Sequence, residues 1–318
     1  MAQNITTTVE LPPAIETWYD TLLLVRLQSK LIHEQFAEIR NQPGKTGNTI
    51  KFRRYSNLSP ATTKLTEGQT PDGSPVGTTD LTAVTAQYGD FVTITDIVDL
   101  TVQDAVMTEV ASLLGDQAGQ TRDILVKDML EATASTTDAT NGANGNSPTE
   151  ITGTDIAGVV QVLLSNNALM RTSVVSATPG VGTLPVREAY WGTINSDLLT
   201  NDLENVTGNN AFLHASEYPD QGPRLATEWG STGNVRWVHA TNAAKDEDVT
   251  PTEYKTNIIG MNAYATTSIT GGTLEFIVQQ FGMGDDPLRQ RMTSGWKFNH
   301  TARILNDNAM HALNVTAT

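Results

Sequence analysis

Five histidines, His33, His214, His239, His300 and His311, are the side chains in this sequence best suited to moving a proton or holding a metal near neutral pH. None has a partner at metal-ligand spacing, and there is no H-E-x-x-H run. Carboxylates gather at Asp246, Glu247 and Asp248, and again at Asp285 and Asp286, where they would suit a hard cation. Neither group has the alternating spacing of a calcium loop, so both read as solvated turns. Cysteine is absent, which removes disulfides, thiolate zinc sites and cysteine nucleophiles together. The sequence also lacks a G-x-S-x-G elbow, a G-x-x-x-x-G-K-[ST] loop and a G-x-G-x-x-G fingerprint. A glycosidase-type carboxylate pair is assembled only by folding, and nothing here selects one pair over another. These residues predict a protein that is not an enzyme and uses no cofactor or metal.

The elements that would position such groups are legible from periodicity. From Ala14 to Arg40, the residues Ile15, Trp18, Leu22, Val25, Ile32, Phe36 and Ile39 recur at steps of three and four, with Ser29 filling the gap between Val25 and Ile32. That pattern predicts one amphipathic helix, packed either on the core or, as an arm, on a neighbouring chain. Pro43-Gly44 ends it. Asn48 to Leu58 alternates, with Ile50 and Phe52 opposed to Lys51, Arg53 and Tyr55, which predicts a half-exposed strand. A second strand-like stretch runs from Leu81 to Ile97. Between the two lies a segment rich in Pro and Gly with no core of its own, so the pair resembles a long hairpin reaching away from the body.

Val102 to Ala134 carries the longest helical pattern, with Val106, Val110, Leu113, Leu114, Ile124, Leu125, Met129 and Leu130 on the expected apolar face and Thr101 with Asp104 as its cap. Such a helix would be a rod of about 50 Å. Ala134 to Glu150 is low in complexity and makes the best internal boundary. A short helix is expected over Asp155 to Met170, then strands near Val235 to Ala240, Ile258 to Ile269, Leu274 to Phe281 and Gly295 to Leu305.

The chain has 318 residues, enough for a large core, yet only 38% are hydrophobic and 6% aromatic, which favours a β-rich and loop-rich protein. Twenty Lys and Arg against 35 Asp and Glu give a net charge of −15, which repels phosphate backbones and argues against specific nucleic-acid binding. There is no secretory signal pattern, and the longest aliphatic run, Leu22 to Val25, is too short to span a bilayer. The expectation is a protein made and used in the cytoplasm, away from membranes.

Five blocks, in this order, resemble one family: GKTGNTIKFRRYSNL at Gly44 to Leu58, KLTEGQTPDG at Lys64 to Gly73, QYGDFVTITDIVDLT at Gln87 to Thr101, LLGDQAGQTRD at Leu113 to Asp123, and DPLRQRMTSGWKFNHTARILND at Asp286 to Asp307. The family is the major capsid proteins of tailed phages related to the N-four-like group, with the Hong Kong ninety-seven type fold. From Gly180 to Gln221 the match is reduced to an Ala-Tyr-Trp strand followed by a helix.

The resemblance implies an α+β subunit with an N-terminal arm (1–46), an extended β-hairpin loop (47–100), a spine helix and peripheral domain (101–150), an axial domain (151–260) and returning peripheral strands (261–318). It implies self-assembly into hexamers and pentamers of an icosahedral head around double-stranded DNA, in the virion. Portal, scaffold and decoration proteins are further expected partners. Intersubunit contacts would fall on Lys51, Arg53, Arg54 and Tyr55 of the outward strand face, Lys64 and Glu67 of the loop, and Asp286, Arg289 and Arg291 before the last strands. Some proteins of this fold cross-link a hairpin lysine to a neighbour's asparagine. Lys64 is the sole lysine between Lys51 and Lys127, but no acceptor or activating carboxylate matches, so cross-linking is not expected. The rival class is a virion decoration protein or surface-binding module, equally acidic and free of catalytic motifs, which predicts small discrete oligomers.

Overall fold

The computed structural model describes residues 32–317 apart from 71, 98–105, 141–147, 176–185, 209, 221–223 and 283–286, and among these described residues fifteen strands and two helices of regular length form the core elements. The expected helix over 14–31, the cap at Thr101 and Asp104, and Asp285 and Asp286 lie outside those residues. Where the first helix was expected to continue to Arg40, the chain makes one short 3-10 turn, His33–Phe36, and then strand β1, Glu38–Gln42. A parallel partner far along the chain, β12 (Tyr264–Ile269), captures this segment, with Glu38 opposite Ala265 and Gln42 opposite Ile269. That long-range ladder outweighs a local helical period.

The expected hairpin is formed by β2 (Thr49–Tyr55) and β3 (Thr78–Val84), paired antiparallel from Thr49 opposite Val84 to Tyr55 opposite Thr78. The second stretch is not one strand. It breaks at the buried Thr85, whose amide donates to the Asn48 carbonyl, and resumes as β4 (Ala86–Thr95), which leaves the hairpin to pair with β14 (Arg291–Ile304). Strand β14 is the seam of the first sheet. It also carries β13 (Glu275–Gln279) and, at its far end, β12.

The long helix α1 covers Val106–Glu131, 26 residues, or about 39 Å at 1.5 Å per residue. It buries most of the stripe expected, Leu114 and Leu130 fully and Val110, Leu125 and Met129 in part, and adds small residues to it. Ala111, Leu114 and Ala118 pack on Phe276, Trp296 and Phe298, and Val126 and Leu130 pack at the joint between sheets, whereas Leu113 and Ile124 face outward. The small side chains Ala111, Gly115 and Ala118 let the helix sit close on the sheet, so the polar middle of the helix is a packing surface of this same chain.

The expected boundary after Ala134 contains strand β5, Thr136–Asp138, which adds in parallel to β15 (Met310–Thr316). Helix α2, Gly153–Ser165, starts on a reciprocal capping box between Thr152 and Asp155 and buries Ile156, Val159, Val160 and Leu163, while Leu164 is exposed. It covers the second sheet, which runs β5, β15, β11 (Glu253–Ile259), β6 (Tyr190–Asn195), β9 (Val235–Ala240), β8 (Glu228–Thr232) and β7 (Phe212–His214), with the short β10 (Lys245–Asp246) on β11. The stretch expected as one strand from Ile258 to Ile269 thus belongs to both sheets, because the chain turns at Gly260 between β11 and β12.

Gly192 faces Trp237 across the parallel β6–β9 pair, and a Cβ there would lie 2.4 Å from two ring atoms of the fully buried indole. Gly192→Ala is therefore expected to force the ring aside and cost about 1–3 kcal/mol, read as a lowered midpoint in denaturant melts. An unchanged midpoint would mean that Trp237 has room to move. Among the described residues no helix is long and apolar enough to cross a membrane.

Candidate intersubunit surfaces

The β2–β3 hairpin is exposed along nearly its whole length, because only Ile50, Phe52, Leu81 and Ala83 turn an apolar face to anything. Its other face carries Lys51, Arg53 and Tyr55. Arg53 lies directly opposite Asp80 and donates to both carboxylate oxygens, at 2.8 and 3.1 Å. Those hydrogen bonds hold the Asp80 carboxyl below the usual carboxylate range and raise Arg53 further. Arg53 is thus already engaged within the hairpin, with Asp80 and also with Tyr55, and Lys51 is the more available group on that face.

Arg54 does not belong to the outward face where it was expected. Period two places it with Ile50 and Phe52, and its guanidinium reaches Asn306 Oδ1 at 2.5 Å and the Leu305 carbonyl at 3.4 Å. It ties the loop end of the β2–β3 ladder to the turn after β14. Beyond Tyr55 every described residue to Thr79 is exposed, including Lys64 and Glu67. Leu58, Leu65 and Val76 are exposed there too, and only local hydrogen bonds such as Gln69 N to Thr66 O order the tip.

A second surface lies on the β4–β14–β13 sheet, on the side away from α1. Phe91 is 67% exposed and stands opposite Gly295, beside a shallow groove of about 380 Å³ lined by Gly89, Ile277, Trp296 and Lys297. At one end of this sheet Arg291 opens β14, and Arg289 takes a left-handed conformation, φ 55°, with its side chain against Gly282. Both are exposed. The expected contact groups therefore fall in two places, the hairpin and this end of the sheet, and the structure does not gather them into one site.

The acidic run at Asp246 to Asp248 is a solvated turn, with Glu247 bonded to Lys245 at 2.5 Å and the Asp246 carboxylate accepting from the Asp248 amide at 3.0 Å. Three histidines have ordinary local partners: His214 with Ser216, His239 with the Thr227 carbonyl and His311 with Thr137. Among the described residues no three metal-ligating side chains converge.

The other two histidines meet in a buried polar cluster that sequence spacing did not disclose. Asp123, on α1, accepts from the His33 amide at 2.8 Å, the His33 ring at 2.9 Å, the Ile32 amide at 3.1 Å and the Asn242 side chain. Burial works against its charge, but these hydrogen bonds outweigh burial and hold the carboxyl below its ordinary range. Arg122 pairs with Glu34, and His300 Nε2 lies 3.9 Å from the same Glu34 carboxylate. Burial first, and then the neighbouring Arg122 charge, push the His300 pKa down to about 4.

The chain matches no protein-family model and no curated protein. Its fold is nevertheless seen in solved phage capsids. The capsid of Ralstonia phage GP4 aligns over 92% of this chain and 91% of its own, with a TM-score of 0.64 and 13% identity. The capsid of cyanophage P-SCSP1u aligns over 91% and 89% with a TM-score of 0.59 at 14% identity, and that of cyanophage Pam1 over 90% and 93% with a TM-score of 0.57 at 13%. Each alignment runs over nine tenths or more of this chain, so the chain is an α+β protein with the fold of those capsid chains.

Proposed function

We propose that this chain is the major capsid protein of a tailed phage, a structural subunit of an icosahedral head of the Hong Kong ninety-seven type. The supporting observation is that nearly the whole of the chain, and nearly the whole of each capsid chain it resembles, superpose as one fold. Capsid asymmetric units are among those matches, which supports self-assembly as the role of this chain. A hairpin that its own body leaves exposed suits that role, because it has surface to bury only on a neighbour.

The subunit divides as an N-terminal arm to residue 46, the hairpin from 47, the spine helix and peripheral domain from 101, the axial domain from 151 and returning peripheral strands from 261. Identical subunits close by rotation into hexamers and pentamers around double-stranded DNA. A net charge of −15 keeps an inner wall from binding packaged DNA tightly. The shell forms in the host cytoplasm, with portal, scaffold and decoration proteins as additional partners, and no step of chemistry is required of the subunit. Lys51, Tyr55, Lys64, Glu67, Asp286, Arg289 and Arg291 are its intersubunit contact groups, with Arg53 stiffening the hairpin from within and Arg54 tying it to the body.

Sedimentation of concentrated, purified protein tests this reading. A fast, discrete species far larger than a dodecamer supports a shell subunit. Small oligomers at every concentration and salt would favour a decoration or surface-binding module instead.

A further inference from the structure

We infer that the buried cluster of His33, Glu34, Arg122, Asp123 and His300 is an acid-sensitive latch that fixes residues 32–42 to the body at neutral pH and releases them on mild acidification. The geometry is that of a fastening. The 3-10 turn contributes His33 and Glu34, the long helix contributes Arg122 and Asp123, and β14 contributes His300, so three elements distant in sequence meet through polar contacts in a site where all but Arg122 are buried. Beyond the turn, β1 is an edge strand held by one parallel partner. The other groups around the cluster keep the count simple. Asn242 and the Tyr264 hydroxyl, which donates to the His33 carbonyl, are neutral, and Arg171, bonded to the Phe36 carbonyl, keeps its charge beside Asp123 and Glu34.

The carboxylates of Asp123 and Glu34 stand against the guanidinium groups of Arg122 and Arg171. Asp123 faces the His33 ring, and Glu34 faces Arg122. His300 is neutral, and its Nε2 has no hydrogen-bond partner among the described residues. A proton on His300 would add a cation beside Arg122 with Glu34 as their shared carboxylate, in a place where burial penalises any unbalanced charge. Opening the segment admits water and restores the ordinary affinity of His300 for a proton.

The sign follows from that difference. The closed form holds the His300 pKa near 4 against an ordinary 6.5, so the open form binds the extra proton between those values. The closed form is therefore fully favoured above about pH 6.5 and loses that advantage as the pH falls towards 4. Asp123, whose carboxyl lies below its ordinary range, keeps its charge through this window. At pH 5 the linkage amounts to an opening constant about thirtyfold larger than at pH 7.5.

Hydrogen exchange of the full chain at pH 7.5 and 5.0, corrected for the intrinsic rate at each pH, reads this directly. Amide protection in residues 32–42 should fall by about thirtyfold, while amides of Gly153–Ser165, which pack in a separate apolar core, hold steady. His300→Asn cannot take up the proton and should reduce the change to less than threefold. His300→Gln serves the same purpose if the asparagine variant does not fold. A wild-type chain with no loss of protection in 32–42 would overturn the latch. So would an undiminished loss in the histidine variants, or an equal loss in the second helix, which would report general acid unfolding.

Discussion

Removing Thr62 to Thr78 should leave a folded, soluble subunit that no longer closes shells. The removed residues belong to a tip whose described side chains are all exposed, and whose large apolar groups, Leu65 and Val76, touch no core of this chain. Ordering such a segment costs about 1–2 kcal/mol per residue, which so little buried surface cannot offset within one subunit. The missing contacts must come from elsewhere, and in a shell they come from the next subunit. Deletion therefore costs the isolated chain almost nothing, and its thermal midpoint should match that of the intact chain. Limited proteolysis gives the complementary readout: free subunits should be cut near Lys64 and assembled shells protected there. Normal particles from the deletion, or equal cutting in both states, would place the intersubunit contacts in other parts of the molecule.

The second large effect is expected deep in the central lobe. Glu228 and Arg236 face each other across β8 and β9, with bonds of 2.6 and 2.7 Å and side chains only 0% and 3% exposed. The guanidinium also lies 4.7 Å from the Trp191 ring centre and 5.6 Å from that of Tyr218, and Glu228 accepts from the Tyr218 hydroxyl and the Leu225 amide. Glu228→Ala strands a buried cation and two donors at once. The expected loss is about 3–5 kcal/mol, seen as a midpoint lower by about 5–8 °C. Replacing both partners, Glu228→Leu with Arg236→Met, should recover most of that loss, because apolar groups of similar size need no counter-charge. A single variant as stable as the parent would mean that water reaches Arg236 and that this lobe is looser than its packing indicates.

Much of the architecture was legible because its signals are local. Alternation marked Thr49–Tyr55, turn-rich text marked the hairpin tip, and the 3.6 period marked Val106–Glu131 and Gly153–Ser165. What escaped was set by partners far away in sequence. Glu38–Gln42 continues an apolar helical period yet becomes a strand, since Ala265–Ile269 offers it a ladder more than two hundred residues on. Leu113 and Ile124 fit the expected stripe of the long helix but face outward, because Ala111 and Ala118 bring the helix closer to Trp296 and Phe298 than larger side chains would allow. Arg54 was grouped with its neighbours by charge, although strand alternation alone sends it to the opposite face.

The polar cluster was invisible for the same reason. His33 and Asp123 stand 90 residues apart and His300 lies further still, so no spacing rule links them. The expected contact groups were legible as residues but not as a surface. Arg53 proved to be paired within its own hairpin, and Arg289 and Arg291 sit on a different sheet from Lys51, Tyr55 and Lys64. Under the proposed role, contact groups in two separate places are what a shell needs, since each copy must meet different neighbours along different sides.

Electron microscopy of the purified chain at high concentration tests the central claim most directly. Closed particles of uniform diameter, or sheets built from sixfold rings, are the predicted result. Fields of separate small oligomers under every condition of salt and concentration would contradict it.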